Sequence, residues 1–97
     1  MCGSSGYTWD TRKQRLNKQK HGISFEEALE VFDDPYLLVV YDEAHSSQED
    51  RYKFLGRMRN LTIVMIIRIE QESRIISARK ATSYEVRLYY EKIKKND

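Results

Sequence analysis

The chain has 97 residues, of which 40% are hydrophobic and 33% are charged, and its formal net charge is +2. This length and composition predict one soluble domain with a modest core, and they exclude a disordered chain or a membrane span of about 20 apolar residues. Because Cys2 is the single cysteine, an internal disulfide framework and a cysteine-built metal site are excluded, and a reducing cytoplasm is expected.

The charge is unevenly distributed along the chain. Residues 1–50 carry a net charge of −5, and residues 51–97 carry a net charge of +7. This asymmetry predicts a basic face for a polyanion, unless the two sets of charges intermingle in the folded chain.

The first predicted elements are two helices. Residues 1–6 are mostly small and are set aside as a flexible segment or a cloning remnant, which leaves residues 7–97 as the expected domain. Asp10 is the predicted N-cap of a basic helix over residues 11–20 that ends at Gly22. Ser24 then begins a capping box for a short amphipathic helix that closes before Pro35.

Strands and a final helix follow. Residues rich in β-formers predict four strands, over residues 36–41, 51–58, 61–70 and 73–80. Short connections favour an antiparallel meander, and a capping box at Thr82 and Glu85 begins a helix to about residue 94. The sequence therefore predicts an α+β fold of two layers: two N-terminal helices, a four-stranded antiparallel sheet and a C-terminal helix.

The last predicted strand becomes basic where it ends. Ile75 and Ile76 are followed by small residues and then by Arg79 and Lys80. Guanidinium groups at the end of a strand suit a phosphate partner, because they carry a permanent charge and a directed fork of donors. The alternative is a solvated strand edge that carries charges without a ligand.

Four groups of residues, taken in order, resemble a known family. They are Trp9-Asp10 with Asn17 and Lys20-His21-Gly22; Ser24 to Ala28 with Val31 to Pro35; His45 with Arg51 and Gly56; and Arg74 to Thr82 with Glu85. Over residues 7–91 the chain resembles the BrnT family of toxins from bacterial type II toxin–antitoxin systems. It departs from the family at Val86 and Leu88, where relatives often carry further basic residues.

The resemblance implies a RelE-like fold and a cytoplasmic ribonuclease that suppresses translation, without a cofactor or metal and without a membrane. It also implies neutralisation by a BrnA-type antitoxin in a hetero-oligomer. The DNA-binding part of that antitoxin would repress the shared operon, so that the toxin reaches operator DNA only through the antitoxin.

Metal-independent RNA cleavage requires particular chemical groups in the protein. It needs a group that accepts the 2′-hydroxyl proton, a group that protonates the leaving 5′ oxygen, and cations that stabilise the phosphorane. His21 and His45 are the only histidines, so one of them is expected to transfer the proton. The catalytic candidates are Arg79, His45, Arg51, His21 and Glu85, and the candidates for RNA binding are Lys80, Arg74, Lys20, Arg57 and Tyr89.

Several candidates also have a purely structural interpretation. His21 could steady a helix terminus, and His45 could be a plain surface residue or an antitoxin contact. Arg51 could pair with an acidic neighbour, Glu85 could act only as a capping residue, and Tyr89 could belong to the core.

Two other functions stay open at this point. One is a non-catalytic protein-binding module that docks the antitoxin and helps to repress the operon. The other is nucleic-acid binding without cleavage, although the sequence has no recognisable helix-turn-helix or ribbon-helix-helix pattern.

Overall fold

Residues 2–4 and 6–96 are described by the computed structural model. The strands are β1 (Cys2–Ser4), β2 (Tyr7–Trp9), β3 (Leu38–Tyr41), β4 (Arg51–Arg57), β5 (Ile63–Ile69) and β6 (Arg74–Lys80). The α-helices are α1 (Thr11–His21), α2 (Phe25–Ala28) and α3 (Ser83–Asn96), and 3₁₀ helices occupy Leu29–Asp33, Glu43–His45 and Gln71–Ser73. In this part of the chain, no helix combines the length and the apolar character needed to cross a membrane.

The six strands form one mixed sheet in the order β1-β2-β6-β5-β4-β3. Strands β3 to β6 are antiparallel neighbours, as predicted, but β2 pairs in parallel with β6 through Thr8 and Arg74. The prediction of a RelE-like sheet of four antiparallel strands after two helices is therefore wrong. Strand β2 has only three residues and its partner lies far along the chain, so no local pattern marks it.

The segment set aside at the N-terminus takes part in this sheet. Strand β1 pairs antiparallel with β2, from Ser4 opposite Tyr7 to Cys2 opposite Trp9. Met1 and Ser5 lie outside the described residues. That residues 1–6 form a flexible segment stays a prediction.

The predicted helix starts are confirmed at the level of single hydrogen bonds. The Asp10 side chain accepts from the backbone N–H groups of residues 12 and 13, and Gly22 ends α1 in the left-handed region at φ 75°. Ser24 and Glu27 form the predicted capping box. The second helix is shorter than predicted, because its α-helical part is the single turn α2 and the chain continues as a 3₁₀ helix.

Helical segments cover both faces of the sheet, not one face as predicted. One core lies between the sheet and the segment that contains α2, and it includes Phe25, Val31, Phe54 and Ile66. The other core packs Tyr89 of α3 against the opposite sheet face. Leu55 belongs to this second core although it directly follows Phe54, because successive strand residues point to opposite faces.

A buried amide completes the outer edge of β6. Asn17 of α1 is 9% exposed, and its Nδ2 atom donates to the carbonyl oxygens of Ala78 at 2.7 Å and Ile23 at 2.9 Å. The Ala78 N–H group donates to Asn17 Oδ1 at 3.3 Å. The side chain of Asn17 thus takes the place of a neighbouring strand and fixes α1 to β6.

Candidate functional site

Arg79 and Glu85 form a two-pronged ion pair where β6 passes into α3. Arg79 Nη1 lies 2.8 Å from Glu85 Oε1, and Arg79 Nη2 lies 2.9 Å from Glu85 Oε2. Glu85 also closes the predicted capping box, because its carboxylate accepts from the Thr82 N–H group and its own N–H donates to the Thr82 hydroxyl. A single carboxylate therefore holds both the helix start and the Arg79 guanidinium.

The charges of this pair are fixed at neutral pH. The hydrogen bond from Arg79 outweighs burial and, with the Thr82 N–H, lowers the pKa of Glu85 to about 2. The same hydrogen bond raises the pKa of Arg79. A carboxylate in this environment suits positioning rather than general-base catalysis, which works best with a pKa near the working pH.

Three cations lie on the face of the sheet against which α3 packs. Arg51 of β4 and Arg74 of β6 lie opposite Ile69 of β5 on its two sides, so their side chains are on the same face of the sheet. Lys53 lies two residues after Arg51 on β4 and therefore shares this face. No ion pair within the described residues involves any of the three, and the Nε atoms of Arg51 and Arg74 are buried without a hydrogen-bond partner. We call Arg51, Lys53 and Arg74 the cationic sheet face.

An imidazole held by a carboxylate lies at the rim of this face. Asp42 follows β3 and is 7% exposed, and its two carboxylate oxygens lie 3.1 and 3.0 Å from Nδ1 of His45. A carboxylate only accepts hydrogen bonds, so Nδ1 must carry the proton, which leaves Nε2 of the neutral ring free to accept one. The His45 side chain is 63% exposed.

The charge on Asp42 is secured by its neighbours. Burial alone would raise the pKa of Asp42, but the hydrogen bond with His45 and the positive charge of Lys53 outweigh it and lower the pKa. The backbone fixes the arrangement as well, since Asp42 N–H donates to the Arg51 carbonyl and the Ser46 hydroxyl links Asp42 to the Arg51 N–H. His45, Asp42 and Arg51 therefore form one local unit.

The structure does not bring all predicted site residues to one point. In the sheet, Arg79 of β6 lies opposite Met65 of β5, and Met65 lies opposite Leu55 of β4. Arg51 precedes Leu55 by four residues on β4. Two strand spacings and four residues correspond to roughly 16 Å between the Cα atoms of Arg79 and Arg51. A bound nucleic-acid strand would meet these two arginines through different phosphate groups.

Four further candidates lie away from the cationic sheet face. Lys20 and His21 are at the end of α1, which lies along the outer edge of β6. Lys80 pairs with Val64 of the α2-side core and so points to the opposite face of the sheet. Arg57 ends β4, and its N–H donates to Asp34.

Tyr89 is a core residue. It is fully buried, and its hydroxyl donates to a carboxylate oxygen of Asp34. Burial and the neighbouring Asp34 charge raise the pKa of the hydroxyl. Its ring is therefore not accessible for stacking on a base, whereas the neighbouring Tyr90 is 42% exposed.

Asp42 and Lys53 belong to the candidate site but were not among the candidates predicted from the sequence. Lys53 lies two residues after Arg51 on β4, so the strand period places both on one face. Asp42 lies three residues before His45, a spacing that allows contact within one helical turn. Both signals were therefore present in the sequence. Within residues 2–4 and 6–96, no group of three or more His, Cys, Asp or Glu residues could hold a metal ion.

Comparisons with known proteins identify the family of the chain. A family model described as "Ribonuclease toxin, BrnT, of type II toxin-antitoxin system" matches residues 9–85. The crystal structure of the Brucella abortus ribonuclease toxin BrnT is similar at 26% identity and a TM-score of 0.62, and the alignment covers 79% of this chain and 96% of that one. No curated protein matches the chain. Because the family model spans most of the sequence, the chain belongs to the BrnT family of ribonuclease toxins of type II toxin–antitoxin systems.

Proposed function

We propose that this chain is an endoribonuclease that cleaves RNA without a metal ion. A 2′-hydroxyl attacks the adjacent phosphate and forms a 2′,3′-cyclic phosphate, while the bond from phosphorus to the 5′ oxygen of the next nucleotide breaks. The observation that carries the proposal is the His45–Asp42 pair beside three cations, none of which forms an ion pair within the described residues. Such a site combines a group for proton transfer with groups that stabilise added negative charge on phosphorus. The requirement for a 2′-hydroxyl restricts the reaction to RNA.

The geometry supports the following roles. Nε2 of His45 accepts the proton of the attacking 2′-hydroxyl, and the leaving 5′ oxygen takes a proton from water. Asp42 is a positioning residue that holds the ring and its tautomer. Arg51, Lys53 and Arg74 bind the phosphate at which cleavage takes place. Arg79, held by Glu85, binds a neighbouring phosphate of the same strand.

The family supports a proposal for the cellular role. Membership in a type II toxin–antitoxin family implies an antitoxin partner. We propose that RNA cleavage in the cytoplasm stops translation, and that a BrnA-type antitoxin neutralises the toxin in a hetero-oligomer. Operator DNA would then be contacted only through the antitoxin.

The central experiment is cleavage of a labelled RNA in the presence of EDTA, with purified ribosomes in a parallel reaction. We expect the wild-type protein to cut RNA and to leave intact a substrate with a 2′-deoxy group at the cleavage position. His45→Ala should lower kcat by about 100-fold or more, which is the usual contribution of acid–base catalysis. If wild-type protein cuts RNA neither alone nor with ribosomes, the ribonuclease proposal is withdrawn in favour of a non-catalytic antitoxin dock.

The second histidine provides the matched comparison. His21→Ala changes the same residue type at the end of α1, away from the cationic sheet face. If His21→Ala loses activity and His45→Ala keeps it, the assignment of the proton-transfer group is wrong. Asp42→Asn should alter the pH profile of kcat, because an amide no longer dictates which ring nitrogen carries the proton.

Arg79 should behave differently from His45. A residue that binds a phosphate away from the reacting atoms contributes mainly to substrate affinity. We therefore expect Arg79→Ala and Glu85→Gln to raise KM more than they lower kcat. A loss confined to kcat would place Arg79 at the cleaved phosphate instead.

A further inference from the structure

Strand β3 forms an open edge of the sheet, since β4 is its only strand neighbour among residues 2–4 and 6–96. The N–H group of Asp42 donates to the carbonyl of Arg51 on β4 at 2.8 Å. In an antiparallel pair this orientation alternates, so Val40 and Leu38 also direct their backbone groups to β4. The backbone N–H and C=O groups of Val39 and Tyr41 therefore point away from the sheet.

The side chains of this edge are apolar and exposed. Val39 and Val40 are each 49% exposed, and Tyr41 is 42% exposed. Native proteins usually protect an open edge with charged side chains, proline or a bulge, and β3 itself contains none of these. An unprotected apolar edge of this kind accepts an added strand.

Two apolar clefts between β3 and α3 extend the same surface. One, of about 240 Å³, is lined in part by Leu38, Val40, Tyr84 and Leu88. The other, of about 280 Å³, shares Leu38 and Leu88 with the first. Alternate side chains of an added strand point to one face of the sheet, so they could enter these clefts in turn.

The charges around the clefts define the partner. Lys53 lines the first cleft, and Lys92 and Lys95 line the second. Glu85 in the first cleft is already paired with Arg79. Glu91 in the second cleft therefore offsets only part of the positive charge of the three lysines. The surface thus fits an extended segment in which apolar residues alternate with acidic ones.

A second copy of the chain fits this surface poorly. Antiparallel pairing of two β3 strands needs a twofold axis perpendicular to the sheet, which places both α3 helices on the same side of the joined sheet. Lys92 and Lys95 of each copy would then approach those of the other. Like charges in such positions oppose association.

We propose that the edge of β3 accepts an extended segment of the antitoxin, with alternating apolar and acidic residues, as an added strand of the sheet. The identity of the partner rests on the proposed function, whereas the surface itself rests on β3 and α3. An added strand beside Val40 would also lie next to Lys53 and cover the rim of the cationic sheet face. Docking there gives a direct steric route to neutralisation.

Amide hydrogen exchange measured by NMR tests the surface, with the antitoxin encoded in the same operon as the probe. In the free toxin we expect rapid exchange at Val39 and Tyr41 and slower exchange at Val40. In the purified complex, Val39 and Tyr41 should become protected by about tenfold or more, because their N–H groups gain partners. Unchanged exchange at both positions in the complex would overturn the proposal, as would protection that develops with toxin concentration alone.

Two variants test the same surface by affinity. Val39→Pro removes an outward N–H group and leaves the bonds to β4 in place, and Val40→Lys puts a positive charge into the first cleft. Each should raise the Kd for the antitoxin by about 30-fold or more, the equivalent of roughly 2 kcal/mol. Leu16→Lys, on exposed α1, is the matched control and should change the Kd by less than about twofold.

RNA cleavage by the free wild-type protein separates this proposal from the ribonuclease proposal. If wild-type protein does not cut RNA but the antitoxin protects Val39 and Tyr41, the docking surface stands and the enzymatic role falls. If RNA is cut and both variants bind the antitoxin with wild-type affinity, the docking surface is wrong and the enzymatic role stands.

Discussion

Asn17 shows how much one side chain can contribute at the scale of a residue. Asn17→Ala should destabilise the protein by about 3 kcal/mol, because it leaves the buried N–H and C=O groups of Ala78 without partners. Lys18→Ala is the matched control on the same helix. It removes an exposed ion pair with Glu27 and should cost less than about 1 kcal/mol. Urea unfolding measures both, and equal losses would show that Asn17 does not stabilise the edge of β6.

Glu85 should make stability depend on acid pH. A carboxylate whose pKa is lowered on folding stabilises the folded state above its unfolded pKa of about 4.5, and that stabilisation is lost as the pH falls towards about 2. Glu85→Gln should therefore cost about 2 kcal/mol at pH 7 and much less near pH 2. Urea unfolding at several pH values measures the difference.

The control for this prediction is Glu91→Gln, which changes an exposed glutamate on the same helix. Its effect should be small at every pH. A difference between wild type and Glu85→Gln that stays constant from pH 7 to pH 2 would contradict the role given to the Arg79–Glu85 pair.

At the scale of elements, Gly56 allows β4 to approach the 3₁₀ helix over Leu29–Asp33. A Cβ atom at position 56 would lie 2.8 Å from Val31 Cβ and 3.1 Å from the Val31 carbonyl oxygen. We expect Gly56→Ala to destabilise the protein by about 2 kcal/mol through overpacking.

Gly22→Ala is the comparison, because nothing lies within 4 Å of a Cβ there and the cost of about 1 kcal/mol comes from its positive φ alone. Thermal or urea unfolding distinguishes the two variants. A Gly56→Ala protein as stable as wild type would show that β4 and the 3₁₀ helix can move apart without loss.

The elements that the sequence predicted well are those defined by local chemistry. Asp10, Ser24 and Thr82 were identified as helix starts because a capping side chain bonds to backbone groups two or three residues away. The parallel pairing of β2 with β6 was missed, because it depends on residues far apart in sequence. The placement of α3 on the second sheet face was missed for the same reason.

For the candidate site, the sequence suggested individual residues but not which of them are neighbours in the fold. Arg79 and Glu85 were both identified, but their pairing depends on the turn between β6 and α3. The grouping of Arg51 with Arg74 across Ile69 depends on strand register, which no single segment contains. Tyr89 was proposed to contact RNA, but its position on the inner side of α3 buries it.

At the scale of the whole molecule, the positive charge is divided between separate surfaces. Basic residues of α1 belong to the acidic half of the sequence, and they lie away from the cationic sheet face. The asymmetry along the chain therefore does not translate directly into one basic side. RNA affinity is expected to depend on the cationic sheet face and on Arg79.

Salt dependence can test this distribution of charge. The logarithm of RNA affinity should fall linearly with the logarithm of salt concentration, with a slope of about −0.7 for each phosphate contact. Arg51→Gln should make the slope less steep by about 0.7 through the loss of one contact, and Lys13→Gln on α1 should leave it unchanged. Fluorescence anisotropy with a 2′-deoxy RNA analogue measures binding without cleavage. Equal effects of the two variants would assign RNA binding to the general charge of the protein.

The central position of β6 has a consequence for synthesis. Strand β6 lies between β2 and β5, yet it is the last strand to leave the ribosome. Until it emerges, β2 has no partner on that side and Asn17 has no backbone to bind, so a nascent chain cannot close its sheet. The same strand supplies Arg74 and Arg79. Any chain that terminates before β6 therefore lacks both the completed fold and the two arginines to which we assign phosphate binding.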